Sequence, residues 1–247
     1  MYFIDNIKIS IITINFNNLL GLKKTLLSVF TQSYSNIEFI IIDGLSTDGS
    51  KDYIVENSSK INYWISEPDY GIYNAMNKGW KRASGNYVLF LNSGDVFADC
   101  EVLEYVSKLI DHTADIVYGC HLWGSKDGER WNPKKDFKIQ DILSHTPISH
   151  QATFIKRSQL EKVGGFKEQY KIIADWGVLI DSMLMHARLQ KISLDICIAE
   201  EAGVSNVTEK EVMRERNLYL FRHHFIAFLL NKYVFLTLIR IKRFFNN

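Results

Sequence analysis

Cysteine is scarce in this 247-residue sequence, and several other absences narrow its class. The three cysteines, Cys100, Cys120 and Cys197, are far apart and form no Cys-x-x-Cys pair. This spacing argues against a disulfide framework or a zinc site and favours a reducing cytoplasm. The net charge of +1 gives no electrostatic case for binding nucleic acid. The first residues lack the basic region and the long apolar run of a signal peptide.

Two common phosphate-binding loops are also missing. The first predicted strand is not followed by G-x-G-x-x-G, and G-x-x-x-x-G-K-[ST] does not occur. These absences argue against a dinucleotide enzyme and against a P-loop NTPase. What is present is an ordinary globular composition, with 47% apolar and 23% charged residues, which supports a core of normal size. A diphosphate would have to be held in another way, and a metal ion would serve.

Short apolar runs alternate with amphipathic stretches through the first half of the chain. The predicted strands are 8–14, 37–42, 61–65 and 86–91, and the predicted helices are 19–32, 52–57, 70–83 and 101–110. The last helix has Asp99 as its expected N-cap. The alternation indicates an α/β fold with a mostly parallel, Rossmann-like central sheet and helices on both faces. The less regular second half, with strands at 115–118, 152–156 and 192–198 and a helix at 174–187, indicates a mixed C-terminal extension.

Polar side chains follow the predicted strands of the parallel half. In an open parallel sheet, ligands bind beyond the carboxyl ends of the strands, so these residues are the candidates for chemistry. They are Thr13, Asn15, Asp43, Glu67, Asp69, Asn92 and Asp95. Carboxylates gathered on one rim either bind a hard divalent cation or share acid–base work. Each of them alone is explained equally well as a turn or cap residue.

Four segments carry a resemblance to a known family. They are residues 11–17 (IITINFN), 26–32 (LLSVFTQ), 38–50 (EFIIIDGLSTDGS) and 66–79 (SEPDYGIYNAMNKG), the last running on to 90–95 (FLNSGD). In this order and spacing they resemble the family 2 glycosyltransferases, which have the GT-A fold. The resemblance covers residues 8–205 and is greatest to the branch that assembles colanic acid, O-antigen and other bacterial surface polysaccharides.

The resemblance implies a role for each matching position. Thr13 and Asn15 would line the base pocket, and Asp43 would accept a hydrogen bond from uracil. The full set of implied nucleotide contacts is Thr13, Asn15, Asp43, Asp48, Lys78, Asn92 and Ser93. The implied sugar or acceptor contacts are Asp69, His150, Gln151 and Trp176. Asp95 would bind the metal ion, Mn²⁺ or Mg²⁺.

The metal motif departs from the family pattern. The common form is Asp-x-Asp-Asp, whereas this chain has Asn92-Ser93-Gly94-Asp95, so only Asp95 keeps a carboxylate. One carboxylate together with diphosphate oxygens and waters can still hold such an ion. We therefore expect weak metal affinity without the nucleotide.

The reaction also needs a general base for the acceptor hydroxyl. Ala174-Asp175-Trp176 resembles the family segment that supplies this base, usually Glu-Asp-x, with Ala174 in place of the glutamate. Asp175 is the predicted catalytic base, and its alternative role is to cap the helix that follows. Trp176 would stack on a sugar ring or lie buried in that helix.

The last part of the chain mixes basic and apolar residues. The apolar run 225–239 is too short to span a membrane but suits an interfacial helix with a basic face. The alternative is a helix packed on the domain or on a second subunit, as in a homodimer. Arg214 and Arg216 lie close enough in sequence to the predicted loop 201–205 to reach phosphate oxygens. The predicted division is a GT-A domain at 1–205, with nucleotide-sugar half 1–98 and acceptor half 99–205, and an amphipathic basic helical tail at 206–247.

The strand-end residues and the resemblance together predict a glycosyltransferase, and the resemblance implies that it is an inverting one. It would move a hexose or N-acetylhexosamine from a UDP-sugar to a glycan acceptor, plausibly linked to polyprenyl diphosphate, at the inner face of the cytoplasmic membrane. The tail would hold the enzyme on that membrane surface. Two alternatives stay open: a nucleotidyltransferase on a similar sheet, and an inactive paralogue that binds sugar nucleotides.

Overall fold

The structure is a computed structural model that describes residues 7–144, 147–200, 207–226 and 229. Strands and helices alternate through the first half, as the sequence predicts. The strands are β1 (Ile9–Asn15), β2 (Ile37–Asp43), β3 (Tyr63–Ser66), β4 (Tyr87–Phe90), β5 (Val96–Phe97), β6 (Ile116–Trp123), β7 (Arg130–Trp131), β8 (Thr153–Lys156) and β9 (Leu189–Ala199). The helices are α1 (Leu19–Phe30), α2 (Ser50–Glu56), α3 (Ile72–Arg82), α4 (Val102–Leu109), α5 (Ile139–Ser144), α6 (Arg157–Val163), α7 (Ala174–Leu184) and α8 (Glu209–His223).

All the described strands belong to one sheet, with the order β3-β2-β1-β4-β8-β6-β9-β5 and β7 paired to β6. The first four strands are parallel. Strand β8 is antiparallel to both β4 and β6, β9 is parallel to β6, and β5 is antiparallel to β9. The prediction of a parallel half with a mixed extension is confirmed.

Both faces of the sheet are covered, because alternate residues of each strand point to opposite sides. In β1, Ile11 belongs to the apolar cluster that includes Leu26 of α1. Its neighbour Ile12 belongs to the other cluster, with Met76 of α3. Continuous apolar strands such as Ile-Ile-Ile in β2 are typical of sheets buried on both faces. The ends of the strands are therefore the part of the sheet that can meet a ligand.

Two local predictions about helix starts are wrong. Helix α4 begins after Glu101, and Asp99 only accepts a bond of 3.0 Å from the Glu101 N–H in the preceding turn. Helix α7 has Ile173 at its N-cap, so Asp175 lies inside the first turn and does not cap the helix. The sequence does not predict the elements β5, β7, α5 and α6, because runs of two to seven residues carry too little periodicity.

Helix α8 packs on the domain. Tyr219 and Leu220 are fully buried in the same apolar cluster as α7. Asp181 of α7 accepts hydrogen bonds from the Tyr219 hydroxyl at 2.7 Å and from His224 at 2.6 Å. The folded unit thus includes residues beyond the predicted boundary at 205. That boundary, the predicted loop 201–205 and, within the predicted tail 206–247, residues 206, 227, 228 and 230–247 lie outside the described residues. In the part of the chain that is described, no helix combines the length and apolarity needed to cross a membrane.

Candidate active site

The carboxylate of Asp43 is buried at the end of β2 and is saturated with hydrogen bonds. One oxygen accepts from Asn15 Nδ2 at 2.8 Å and from the Ser46 hydroxyl at 2.5 Å. The other accepts from the Ser46 N–H at 2.9 Å and from the Ser66 hydroxyl at 2.7 Å. A carboxylate has about four lone-pair sites, and all are used. In this conformation, Asp43 joins three chain segments, and its predicted direct contact with uracil would require one of these donors to move away.

The two β1 residues predicted to line the base pocket are also buried. Thr13 has no exposed surface, and its hydroxyl donates to the Leu91 carbonyl at 2.7 Å. Strand alternation places this side chain on the same face as Ile11, towards α1, so the predicted contact of Thr13 with a base would have to use its backbone. Asn15 donates to Asp43 and to Ser46, while its buried Oδ1 has no hydrogen-bond partner among the described residues.

Three further predicted nucleotide contacts, Asp48, Lys78 and Ser93, each make hydrogen bonds within the protein. Asp48 is exposed and accepts from the Leu19 N–H at 2.8 Å, so it helps to start α1. Its role is that of a turn residue. Lys78 pairs with Glu67 at 2.8 Å and donates to the Pro68 carbonyl at 2.8 Å. Ser93 donates to the Asn18 carbonyl at 3.1 Å, beside the start of α1.

A small, open surface forms at the ends of β1 and β2. Phe16 is 66% exposed. A Cβ built on Gly44 would stand 3.1 Å from the Phe16 ring and 2.6 Å from Asp69 Oδ2, so the three residues share one spot on the rim. Asp69 uses its other oxygen to accept from the Gly71 N–H at 2.9 Å. In the sequence, Phe16 belongs to the motif 11–17, and a large apolar residue directly after a buried strand is itself a signal of a binding surface.

The end of β4 holds the predicted metal ligand in a setting unlike that of Asp43. Asp95 is 5% exposed, and one oxygen accepts from the Glu200 N–H at 2.9 Å. Burial raises the pKa of Asp95 to about 6, against the opposing effects of that N–H and of the charge on His150. The nearby charge of Glu200 also raises this pKa. Such a carboxylate gains from a positive partner more than a solvated one does.

Asn92 links this metal motif to the predicted base. Asn92 Nδ2 lies 3.3 Å from His150 Nε2, and that nitrogen accepts a hydrogen bond from Asn92 when the imidazole is neutral. The buried Oδ1 of Asn92 then has no hydrogen-bond partner among the described residues. On its other side, His150 Nδ1 donates to Asp175 Oδ2 at 3.2 Å. The predicted metal motif and the predicted base therefore belong to one hydrogen-bonded cluster.

Asp175 is held as a carboxylate within this cluster. The Tyr73 hydroxyl lies 3.0 Å from its Oδ1 and 2.8 Å from the Ile172 carbonyl. Burial would raise the pKa of Asp175, but the hydrogen bond and charge of His150 outweigh it and lower the pKa. Burial would lower the pKa of His150, but the bond and charge of Asp175 raise it. Asp175 is thus ionised at neutral pH and able to accept a proton.

Trp176, a predicted sugar or acceptor contact, and Arg216, predicted to reach phosphate, both lie in the core. Trp176 is 1% exposed and donates from Nε1 to the Ile142 carbonyl at 2.8 Å, which leaves no ring face for a sugar. The Arg216 guanidinium lies over that ring at 5.2 Å and is buried, so Arg216 serves the core in this conformation. Gln151 accepts from the Ser149 hydroxyl at 2.5 Å and adjoins His150. A cavity of about 30 Å³ lies beside His150 and Asp175.

The ionisable groups do not form a complete metal cage by themselves. In the ranges that the structure describes, no three His, Cys, Asp or Glu side chains are placed to share an ion. The atoms near Asp95 that could bind a metal are nevertheless oxygens, which Mg²⁺ and Mn²⁺ prefer as ligands. One of them is Asn92 Oδ1, which has no hydrogen-bond partner among the described residues when His150 is neutral. These residues fit a cation that takes its other ligands from a diphosphate and from water.

Known proteins share this sequence and this fold. Residues 10–177 match the family model described as glycosyl transferase family 2. An uncharacterised glycosyltransferase of Mycobacterium tuberculosis is 34% identical over 184 residues, which are 72% of this chain and 69% of that protein.

Solved structures agree with the sequence comparison. TarS 1–349 of S. aureus in complex with UDP-GlcNAc superposes with a TM-score of 0.69 at 20% identity, over 86% of this chain and 66% of that one. This chain spans 39% of a longer crystallised TarS chain. The mannosyltransferase PcManGT from Pyrobaculum calidifontis, in complex with GDP-Man and Mn²⁺, has a TM-score of 0.62 at 19% identity, over 80% of this chain and 58% of that one. With these matches, the chain belongs to glycosyl transferase family 2 and is a glycosyltransferase with the GT-A fold.

Proposed function

We propose that this glycosyltransferase is an inverting enzyme that moves a hexose or N-acetylhexosamine from a UDP-sugar to a lipid-linked glycan. The observation that carries the proposal is the cluster in which Asn92 of the metal motif contacts His150, and His150 contacts Asp175. It brings a site for the leaving diphosphate next to a carboxylate that can take the acceptor's proton. One displacement in which the two groups act on opposite sides of the anomeric carbon inverts that carbon.

The uridine end of the donor is assigned to the surface of Phe16, Gly44 and Asp69. The exposed Phe16 ring offers an aromatic face on which a base can stack. The absence of a side chain on Gly44 leaves room there, and Asp69 Oδ2 can accept the N–H of a uracil ring. The complex of TarS 1–349 with UDP-GlcNAc supports a uridine nucleotide as the donor. The complex of PcManGT with GDP-Man makes a GDP-sugar the alternative donor that an experiment must exclude.

Asp95 and Asn92 are the residues that would hold Mn²⁺ or Mg²⁺. When bound, the ion stabilises the negative charge that develops on the leaving diphosphate. Asp95 contributes a carboxylate that burial has made poorly solvated, and Asn92 contributes an amide oxygen without another partner. The Mn²⁺ present in the PcManGT complex supports this proposal.

Asp175 takes the proton of the acceptor hydroxyl. The acceptor oxygen forms its bond to the anomeric carbon while the bond from that carbon to the UDP oxygen breaks. Tyr73 and His150 each bond one oxygen of Asp175 and so fix the direction of its lone pairs. His150 is a positioning residue here, because its Nε2 faces Asn92.

The C-terminal end of α8 and the residues after it are assigned to the membrane surface. Among the described residues, Phe221, Phe225, Ile226 and Leu229 are between 48% and 75% exposed. Apolar side chains next to basic residues suit an interfacial segment, where a lipid-linked acceptor would be found. Because α8 belongs to the core, the test is a chain that ends after His224. It should lose co-sedimentation with anionic vesicles and keep UDP binding; unchanged co-sedimentation would contradict the assignment.

A panel of UDP- and GDP-sugars tests the donor directly. With Mn²⁺ present, we expect release of UDP from at least one UDP-sugar and no release of GDP. Turnover of GDP-sugars alone would overturn the assignment of uridine. If UDP-sugars bind but are not turned over, with or without acceptor glycans, the result would favour an inactive paralogue. Gly94 in the metal motif is the reason to consider that alternative.

A further inference from the structure

Gly94 leaves a space at the metal motif, and a glutamate from elsewhere in the chain fills it. A Cβ built on Gly94 would stand 2.1 Å from Glu200 Oε2 and 2.7 Å from Glu200 Cδ. Gly94 also has a φ of +107°, which L-residues rarely adopt. The Glu200 carboxylate therefore lies where the missing acidic side chain of the motif would begin.

The sheet holds Glu200 in this place. Strand β5 follows Asp95 directly and pairs antiparallel with the end of β9, with Val96 opposite Ile198. Just beyond this pairing, the Glu200 N–H donates to the side-chain Oδ1 of Asp95 at 2.9 Å. The position of Glu200 beside the motif is thus set by backbone pairing and does not depend on its own side chain.

The side chain of Glu200 remains free to take a new partner. It is 34% exposed, and its ion pair with Lys24 is long, at 3.7 Å. Its other contact, from Asn18 Nδ2, is 3.5 Å. Neither contact saturates the carboxylate, in contrast to the four short bonds of Asp43.

We propose that Glu200 supplies the second carboxylate of the divalent-cation site, replacing the acidic residue that the motif lacks at Gly94. This inference rests on the proposed function. Asp95 and Glu200 together bring two negative charges, which balance a divalent cation before the diphosphate arrives. The site is then assembled from two distant parts of the chain, the end of β4 and the end of β9.

The test is a Mn²⁺ titration followed by electron paramagnetic resonance, with and without UDP. The variants are Glu200→Gln, Lys24→Ala and the control Glu104→Gln, which removes a carboxylate paired to Lys108 on α4. We expect Glu200→Gln to weaken Mn²⁺ binding by at least about tenfold, the lower end of the loss seen for groups around a metal. Lys24→Ala and Glu104→Gln should bind Mn²⁺ like the wild type. Thermal unfolding confirms that each variant is folded.

The outcomes separate this inference from the proposed function. UDP binding in EDTA, measured by calorimetry, reports on the donor site alone and should be the same in all four proteins. If the wild type binds UDP but Glu200→Gln keeps wild-type Mn²⁺ affinity, the role of Glu200 is overturned and the function stands. If the wild type does not bind UDP, the donor assignment is overturned, and the Mn²⁺ titration without UDP still decides the role of Glu200. An equal loss in Lys24→Ala would also overturn it, because the ion pair would then be the cause.

Discussion

The ends of β2 and β4 each carry one buried aspartate, and the two are held very differently. Asp43 accepts four hydrogen bonds from Asn15, Ser46 and Ser66, so its charge is already compensated. Asp95 has far less compensation, and burial raises its pKa to about 6. A buried carboxylate whose lone pairs are all used stabilises a loop, whereas one with few hydrogen-bond donors is better placed to take a ligand. The hydrogen bonds of Asp43 therefore serve the fold, and the setting of Asp95 supports the metal role proposed for it.

The largest effect on activity should come from a third carboxylate, Asp175. Like Asp95, it is proposed to act in the reaction. Asp175→Asn should lower kcat by about 10²–10⁴-fold, the usual contribution of a general base. UDP affinity should stay the same, because the change removes only the proton acceptor. Single-turnover transfer and calorimetry measure the two quantities. Wild-type kcat in this variant would remove Asp175 from the mechanism.

Asp95→Asn should damage activity and yet stabilise the protein. We expect transfer to fall about 10²-fold or more, since metal stabilisation of the leaving group is worth several kcal/mol. The pKa of Asp95 is raised by folding, so its contribution to stability is full below pH ~4 and is lost as pH rises through about 6. An asparagine cannot ionise and avoids this loss, which is about 3 kcal/mol.

Urea unfolding at two pH values checks this second part. The variant should be more stable than the wild type at pH 7, and the difference should disappear at pH 4. A variant that is less stable at both pH values would show that Asp95 is held for the fold, like Asp43.

Asp43→Asn should have the opposite profile. Replacing one acceptor oxygen with an amide group places donors against the Ser46 N–H and the hydroxyls of Ser46 and Ser66. Losing such buried bonds costs about 3 kcal/mol or more, which unfolding in urea at pH 7 measures. Mn²⁺ affinity of the folded fraction should not change. A stable Asp43→Asn variant with lost UDP binding would restore the direct uracil contact.

Phe16→Ala tests the open surface next to Asp43. Stacking of a base on an aromatic side chain is worth about 1–3 kcal/mol, so KM for the donor should rise about tenfold. The free energy of unfolding should hardly change, because Phe16 is mostly exposed. Tyrosine at this position should bind the donor like the wild type. An unchanged KM for Phe16→Ala would move the base elsewhere on the rim.

His150→Ala should have the smallest effect on the maximal rate and the clearest effect on pH dependence. His150 lowers the pKa of Asp175, so its removal should raise that pKa and move the acid limb of the kcat/KM profile to higher pH. A loss as large as that of Asp175→Asn, with the acid limb unmoved, would identify His150 as the base. The pH profile of kcat/KM for Asn92→Ala is the comparison, because Asn92 contacts Nε2, the imidazole nitrogen that does not face Asp175.

The sequence was sufficient to predict the fold and the strand ends that carry the site. The spacing of apolar residues and the alternation of strands with helices can be seen in short stretches of sequence. They predicted the parallel half of the sheet and the residues on its rim. The alternation of side chains along β1 also predicts that the Thr13 side chain is buried. Ile9, Ile11 and Thr13 share the face that packs against α1. The direction of a side chain in a strand can therefore be predicted, even where its hydrogen-bond partner cannot.

The long-range parts of the site could not be predicted. The donors to Asp43 come from three separate segments, and no local pattern shows that Ser66 reaches it. Glu200 is adjacent to Gly94 only because β5 and β9 pair, and β5 has two residues, too few for a sequence signal. Trp176 follows Asp175 directly, yet the turn of α7 aims one at the core and leaves the other beside His150.

The central claim is that a cation and UDP bind together at the end of β4, and calorimetric titration of UDP with and without Mn²⁺ tests it most directly. In the wild type, Mn²⁺ should tighten UDP binding by about tenfold or more. In Asp95→Asn it should make no difference, while Asp43→Asn should respond to Mn²⁺ as the wild type does. Equal tightening by Mn²⁺ in the wild type and in Asp95→Asn would contradict the account.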